Sequence, residues 1–114
     1  MKALDELKPN FGPVYAAAMY PGLAAIFHRH GYALAVHGSL ARDFDLIGVP
    51  WAEKVSQPED VLAEVTKIYA VRVIDEPKRV GVKNHGRIAY TVSCGFGECF
   101  IDLSFMPILT PSPT

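Results

Sequence analysis

The stretch "HGSLARDFDLIGVPW", residues His37 to Trp51, sets a glycine–serine pair three residues ahead of Asp43, with Asp45 following after a single phenylalanine. Residues 32–36, "YALAV", read as a short buried strand. Gly38-Ser39 turns the chain, and residues 43–49, "DFDLIGV", read as the next strand. Successive side chains of a strand point to opposite faces. Asp43, Asp45 and Ile47 therefore share one face, while Phe44 and Leu46 share the other. Two acids on one face of an apolar strand, directly after a tight turn, call for a reason.

The later strands repeat the division. Residues 86–93, "GRIAYTVS", and 98–106, "ECFIDLSFM", alternate around the turn "CGFG" and read as an antiparallel hairpin. Ile101, Leu103 and Phe105 fall on one face, with Phe100, Asp102 and Ser104 opposite. Ile88, Tyr90 and Val92 stand against Arg87, Ala89, Thr91 and Ser93 in the same way. Each strand offers an apolar face for helices and a mixed face, and Asp43, Asp45 and Asp102 all fall on the mixed one. Carboxylates gathered in one place repel each other and lose hydration. Hard divalent cations such as Mg²⁺ take oxygen ligands and are held by a few carboxylates plus substrate phosphates. A solvated strand edge is the competing reading of "DFD". Asp102, set among strand apolars, needs a partner of some kind.

Around this centre the chain reads as one α/β (α+β) domain: a mixed β-sheet with helices packed on one face. Its 114 residues suit a single domain, with a core over about 13–106 and a proline-rich tail at 107–114. "VYAAAMYPGLAAIFHRHG" carries Val14, Ala18, Leu23, Ile26 and Phe27 at near-helical spacing, Pro21 kinks it or opens a second helix, and Gly31 stops it. "SQPEDVLAEVTKIYA" reads as a helix with Ser56 at the N-cap and Glu59 completing a capping box. Its apolar stripe is Val61, Leu62, Val65, Ile68 and Tyr69. Residues 71–75, "VRVID", read as a further strand.

Composition narrows the function classes. Half of the residues are hydrophobic and a fifth are charged, which is globular composition, and no apolar run reaches membrane-spanning length. The start, "MKALDELKPNFGP", does not read as a signal peptide, so Cys94 and Cys99 are expected as reduced thiols in a cytoplasmic protein. Strand packing is the simple reading of the two thiols; a disulfide and a metal site with His85 are the alternatives. A net charge of −1 gives no global attraction to nucleic acid or anionic membrane. Between Pro77 and Gly97, however, there is no acid, while Lys78, Arg79, Lys83, His85 and Arg87 fall within ten residues. A solvated loop is one reading of this basic stretch and phosphate handling the other. His28, His30 and His37 read as structural or surface residues, and Trp51 as a rim or core aromatic, with base stacking as the alternative.

The order Gly38-Ser39, then Asp43-Phe44-Asp45, then Asp102 within a later hydrophobic strand resembles the nucleotidyltransferase superfamily of the DNA polymerase beta type. "GSLAR" is similar to the small-residue-plus-arginine stretch of its minimal members. "HGSLARDFDLI…PW" with "HGR" and "IDLS" also resembles small proteins of bacteriophages. The resemblance covers roughly residues 32–106. It departs from the superfamily in one place: Leu40, Ala41 and Arg42 make a shorter loop ahead of the first aspartate than is usual there.

The resemblance implies transfer of a nucleoside monophosphate from a nucleoside triphosphate to an acceptor, with Mg²⁺ or Mn²⁺ as cofactor. Asp43 and Asp45 would bridge the metals, and Asp102 would hold the metal nearer the acceptor and help deprotonate it. Backbone N–H groups of Gly38 and Ser39 would cradle the terminal phosphates. From the basic stretch, Lys83, His85 or Arg87 would meet the triphosphate or an acceptor nucleic acid, Arg87 best because alternation puts it on the aspartate face. Arg42, beside the turn, is another phosphate candidate, with pairing to a neighbouring carboxylate as its simpler reading. The acceptor is left open, with a nucleic acid and a protein as the candidates; no membrane is expected as a partner, and the expected compartment is the cytoplasm, that of the host for a phage-encoded chain. A catalytically inactive nucleotide- or protein-binding domain of the same fold is the alternative function. An unrelated small domain with structural acids is the third.

Overall fold

The computed structural model describes residues 12–40, 43–74, 80–82, 86–95 and 100–109. Helix α1 (Gly12–Ala18) runs into α2 (Tyr20–Arg29), and Met19 separates them. Pro21 lies in the first turn of α2, where a missing N–H costs nothing and the fixed φ favours helix. It opens a second helix, one of the two outcomes expected of it. Gly31, at φ +90°, reverses the chain into β1 (Tyr32–His37), followed by β2 (Phe44–Pro50).

Helix α3 (Pro58–Ile68) follows, then β3 (Arg72–Val73), β4 (Val80–Val82), β5 (Ile88–Ser93) and β6 (Phe100–Phe105). Strands β1, β2, β6, β5 and β3 lie side by side in that order, and β4 pairs with the same edge of β5 as β3 does. The β2–β6 pair is parallel; the β1–β2, β5–β6, β3–β5 and β4–β5 pairs are antiparallel. The fold is thus α+β, with a mixed sheet and helices on one of its faces.

Alternation along the strands builds the core. Phe44 and Leu46 of β2, Val92 of β5, and Ile101, Leu103 and Phe105 of β6 are buried on the helix side. Leu23, Ile26 and Phe27 of α2 and Val61, Leu62 and Val65 of α3 meet them in one hydrophobic cluster. Phe27 stacks on Phe105 with ring centroids 5.3 Å apart, and Tyr32 meets Phe105 edge-on at 5.4 Å. Gly48 makes this approach possible: a Cβ there would lie 2.8 Å from Cε2 of Phe27.

Three expectations change. Ser56 does not cap α3. Gln57 occupies the N-cap, extended as a residue before proline tends to be, and no side chain bonds the helix end. Ser56 Oγ instead bonds Nδ1 of His30 at 2.7 Å, drawn to α2 across the fold. The strand expected over 71–75 is two residues long, with Asp75 outside the described residues. The basic stretch is not loop throughout, since Val80–Val82 forms the short strand β4 on β5. At the C-terminus, the N–H of Met106 donates to the carbonyl of Gly48 at 2.9 Å, and residues 106–109 lie beside the end of β2. Among the described residues no helix is long and apolar enough to cross a membrane.

Candidate functional site: a polar row across the sheet

The sheet face away from the helices carries one continuous polar row. His37 of β1 is the register partner of Asp45 of β2, Asp45 is the partner of Asp102 of β6, and Asp102 is the partner of Thr91 of β5. All four residues are half-buried. The Thr91 hydroxyl donates to Oδ1 of Asp102 at 3.3 Å.

The two carboxylates sit on neighbouring strands, which run about 4.8 Å apart. Like charges directly opposite one another on adjacent strands destabilise a sheet. Asp43 stands one residue ahead of β2, half-buried in the turn rather than in the paired strand. Among the described residues no group of three or more His, Cys, Asp or Glu is placed to hold a metal ion. The register thus supplies a pair of carboxylates, Asp45 and Asp102. Such a pair could hold a hard cation only if the remaining ligands came from substrate phosphates and water.

The β1–β2 turn comes up against Asp45 at Gly38. Gly38 has φ +76°, and a Cβ on it would fall 2.3 Å from Oδ2 of Asp45. The Asp45 carboxylate therefore rests against the backbone of Gly38; a Cβ there would push it aside, and the positive φ disfavours a side chain as well. Leu40 is also left-handed, at φ 56°, which is costly for a residue with a branched side chain. Its side chain packs against the core, and Gly12 abuts its carbonyl so closely that a Cβ there would lie 2.2 Å from the oxygen. Tertiary packing thus holds a strained turn in place, with Gly38 and Ser39 exposed at its surface.

Of the basic candidates, Arg42, Lys83 and His85 lie outside the described residues. Arg87 directly precedes β5 and belongs by alternation to the face of the aspartates. It stands four residues before Thr91, so its backbone is about 13 Å along the strand from the row, at the end of the sheet away from the Gly38 turn. Its Nε is shielded from solvent without a hydrogen-bond partner among the described residues.

His37, read from the sequence as a structural or surface residue, stands in this row as the register partner of Asp45. Its Nε2 is likewise shielded and unpartnered among the described residues. Thr91 is the other addition. The available signal for both was strand alternation, which puts them on the aspartate face, together with His37's place directly before Gly38.

His30 and Trp51 lie elsewhere. His30 is structural, with Nδ1 on Ser56 Oγ and Nε2 2.8 Å from Oε1 of Glu64. Arg29 pairs with the other Glu64 oxygen, and these two partners hold the Glu64 carboxyl below its usual range, the Arg29 hydrogen bond most of all. Trp51 is a rim residue, 62% exposed, with its ring 5.6 Å from that of His28. It lines a groove of about 510 Å³ with Val49, Met106, Ile108 and Leu109, at the end of β2 remote from the Gly38 turn. Cys94 is a free thiol whose pKa burial pushes up, the opposite of an activated nucleophile; Cys99 lies outside the described residues. Comparison of the chain with protein-family models, with curated proteins and with solved structures finds no match.

Proposed function

We propose that the chain is a metal-dependent nucleotidyltransferase-like protein that takes a nucleoside triphosphate on the Gly38-Ser39 turn and the Asp45–Asp102 pair. One observation carries the reading: the turn rests directly on the Asp45 carboxylate, and Asp45 is in register with Asp102. A phosphate cradle and a cation-binding pair are thus contiguous. Strained backbone held by surrounding packing is characteristic of ligand-binding sites, and Leu40 supplies it here.

In this reading Asp45 and Asp102 hold Mg²⁺ or Mn²⁺, with Asp43 at the mouth of the site. The cation would neutralise the triphosphate and favour attack on its α-phosphorus. The backbone N–H groups of Gly38 and Ser39 hold the terminal phosphates and keep the leaving pyrophosphate oriented. Asp102, fixed by the Thr91 hydroxyl, lies on the side of the pair away from the turn. It is the carboxylate best placed to take the proton of an acceptor hydroxyl. Arg87, farther along the same face, suits an anionic acceptor such as a nucleic acid. The cytoplasm, where nucleoside triphosphates are abundant, is the compartment this reading requires.

The short Leu40–Arg42 loop favours a second reading, a domain of the same fold that binds nucleotide or a protein without turnover. Incubation with each nucleoside triphosphate, Mg²⁺ or Mn²⁺ and a panel of RNA, DNA and protein acceptors separates the two. Pyrophosphate release that depends on Asp102 supports transfer. Triphosphate binding without release supports the second reading, and no binding contradicts both.

A further inference from the structure

We infer that His37 is a phosphate-binding residue, whose Nε2–H donates to the triphosphate chain held at the Gly38-Ser39 turn; this rests on the function proposed above. Three observations converge on the imidazole. Its Nε2 is shielded from water and has no hydrogen-bond partner among the described residues. A buried polar atom left unpaired is expensive, and each one in a native protein calls for an explanation, a docking group being one. His37 is also the register partner of Asp45, which brings it to the edge of the carboxylate pair without making it a third metal ligand. Finally, it is bonded directly to Gly38, the residue on whose backbone the Asp45 carboxylate rests.

A phosphate seated on the turn, with its cation on Asp45 and Asp102, would share with the imidazole the sheet face on which His37 and Asp45 are register partners. Phosphate oxygens only accept hydrogen bonds, and a neutral imidazole protonated on Nε2 supplies the donor without adding charge. A nucleoside hydroxyl, by contrast, would let Nε2 act as acceptor. Ligands with and without phosphate therefore tell the two arrangements apart.

The test uses the whole chain and calorimetry in Mg²⁺, with inorganic tripolyphosphate, a non-hydrolysable nucleoside triphosphate and the unphosphorylated nucleoside as probes. His37→Ala should weaken tripolyphosphate and nucleoside triphosphate roughly tenfold or more, the scale of one hydrogen bond to a charged group. It should leave the nucleoside unaffected. His37→Gln, which carries an N–H donor near the position of Nε2, should recover most of the loss. Without ligand, the melting temperature of His37→Ala should match or exceed that of the native protein, because Nε2 has no hydrogen-bond partner to lose among the described residues. Equal tripolyphosphate affinity in the native and His37→Ala proteins would overturn the inference. So would a loss confined to the nucleoside, or one matched by a fall in melting temperature that His37→Gln shares. If the native protein bound neither triphosphate nor tripolyphosphate, the proposed function would fail first, before any substitution was compared.

Discussion

Asp45 and Asp102 are register partners across the parallel β2–β6 pair, two acids on neighbouring strands and on the same face of the sheet. Like charges so placed repel one another, and under the proposed function a bound cation would offset that repulsion. Millimolar Mg²⁺ or Mn²⁺ should therefore raise the thermal melting temperature of the native protein, and do so much less in Asp45→Asn. In the presence of a chelator the ranking should reverse. Asp45→Asn should then be more stable than the native chain by about 0.5–1 kcal/mol, the scale of a like-charge cross-strand pair. A melting temperature indifferent to divalent ions would remove the cation from the account.

Gly38 is constrained twice, by its φ of +76° and by the Asp45 oxygen that a Cβ would strike. Gly38→Ala should destabilise the protein by about 1–2 kcal/mol through backbone strain alone, measured by denaturant unfolding. Gly38→Val should also abolish triphosphate binding while circular dichroism shows the fold retained. Native-like affinity in Gly38→Val would reduce the turn to a connection between two strands.

The Glu64 carboxyl, held low chiefly by Arg29 and then by His30, joins α2 to α3. Because its pKa is depressed on folding, the stability it contributes is present above the ordinary carboxylate value of 4.5 and is lost as pH falls through the lowered folded value. The native protein should be more stable than Glu64→Gln near neutral pH, with the gap closing as pH falls below that value. Paired urea titrations across acidic pH measure this. A gap that stayed constant or widened toward low pH would contradict the ion-pair assignment.

Much of this was legible in the residues. Alternation in "DFDLIGV", "GRIAYTVS" and "FIDLSF" assigned Phe44, Leu46, Val92, Ile101, Leu103 and Phe105 to the buried face, where they lie. The signals are local and period-two, so no partner strand had to be known. The parallel pairing of β2 with β6 was not written in either strand. It joins segments more than fifty residues apart, and it decides that Asp45 meets Asp102. The Ser56 capping box failed for a related reason. Local spacing favoured it, but Pro58 set the helix start and His30, from another helix, took the hydroxyl. Strand β4 was missed because Val80–Val82 is three residues long and owes its conformation to the edge of β5. His37 looked like any strand-end histidine until the register put it beside Asp45.

The central claim is that the Gly38-Ser39 turn and the Asp45–Asp102 pair together bind a metal–triphosphate. Calorimetric titration with a non-hydrolysable nucleoside triphosphate, in Mg²⁺ and then in chelator, tests it most directly. The native protein should bind in Mg²⁺, with no binding in chelator, in Asp45→Asn or in Asp102→Asn. No binding by the native protein in Mg²⁺, or binding that survives both substitutions unchanged, would contradict it.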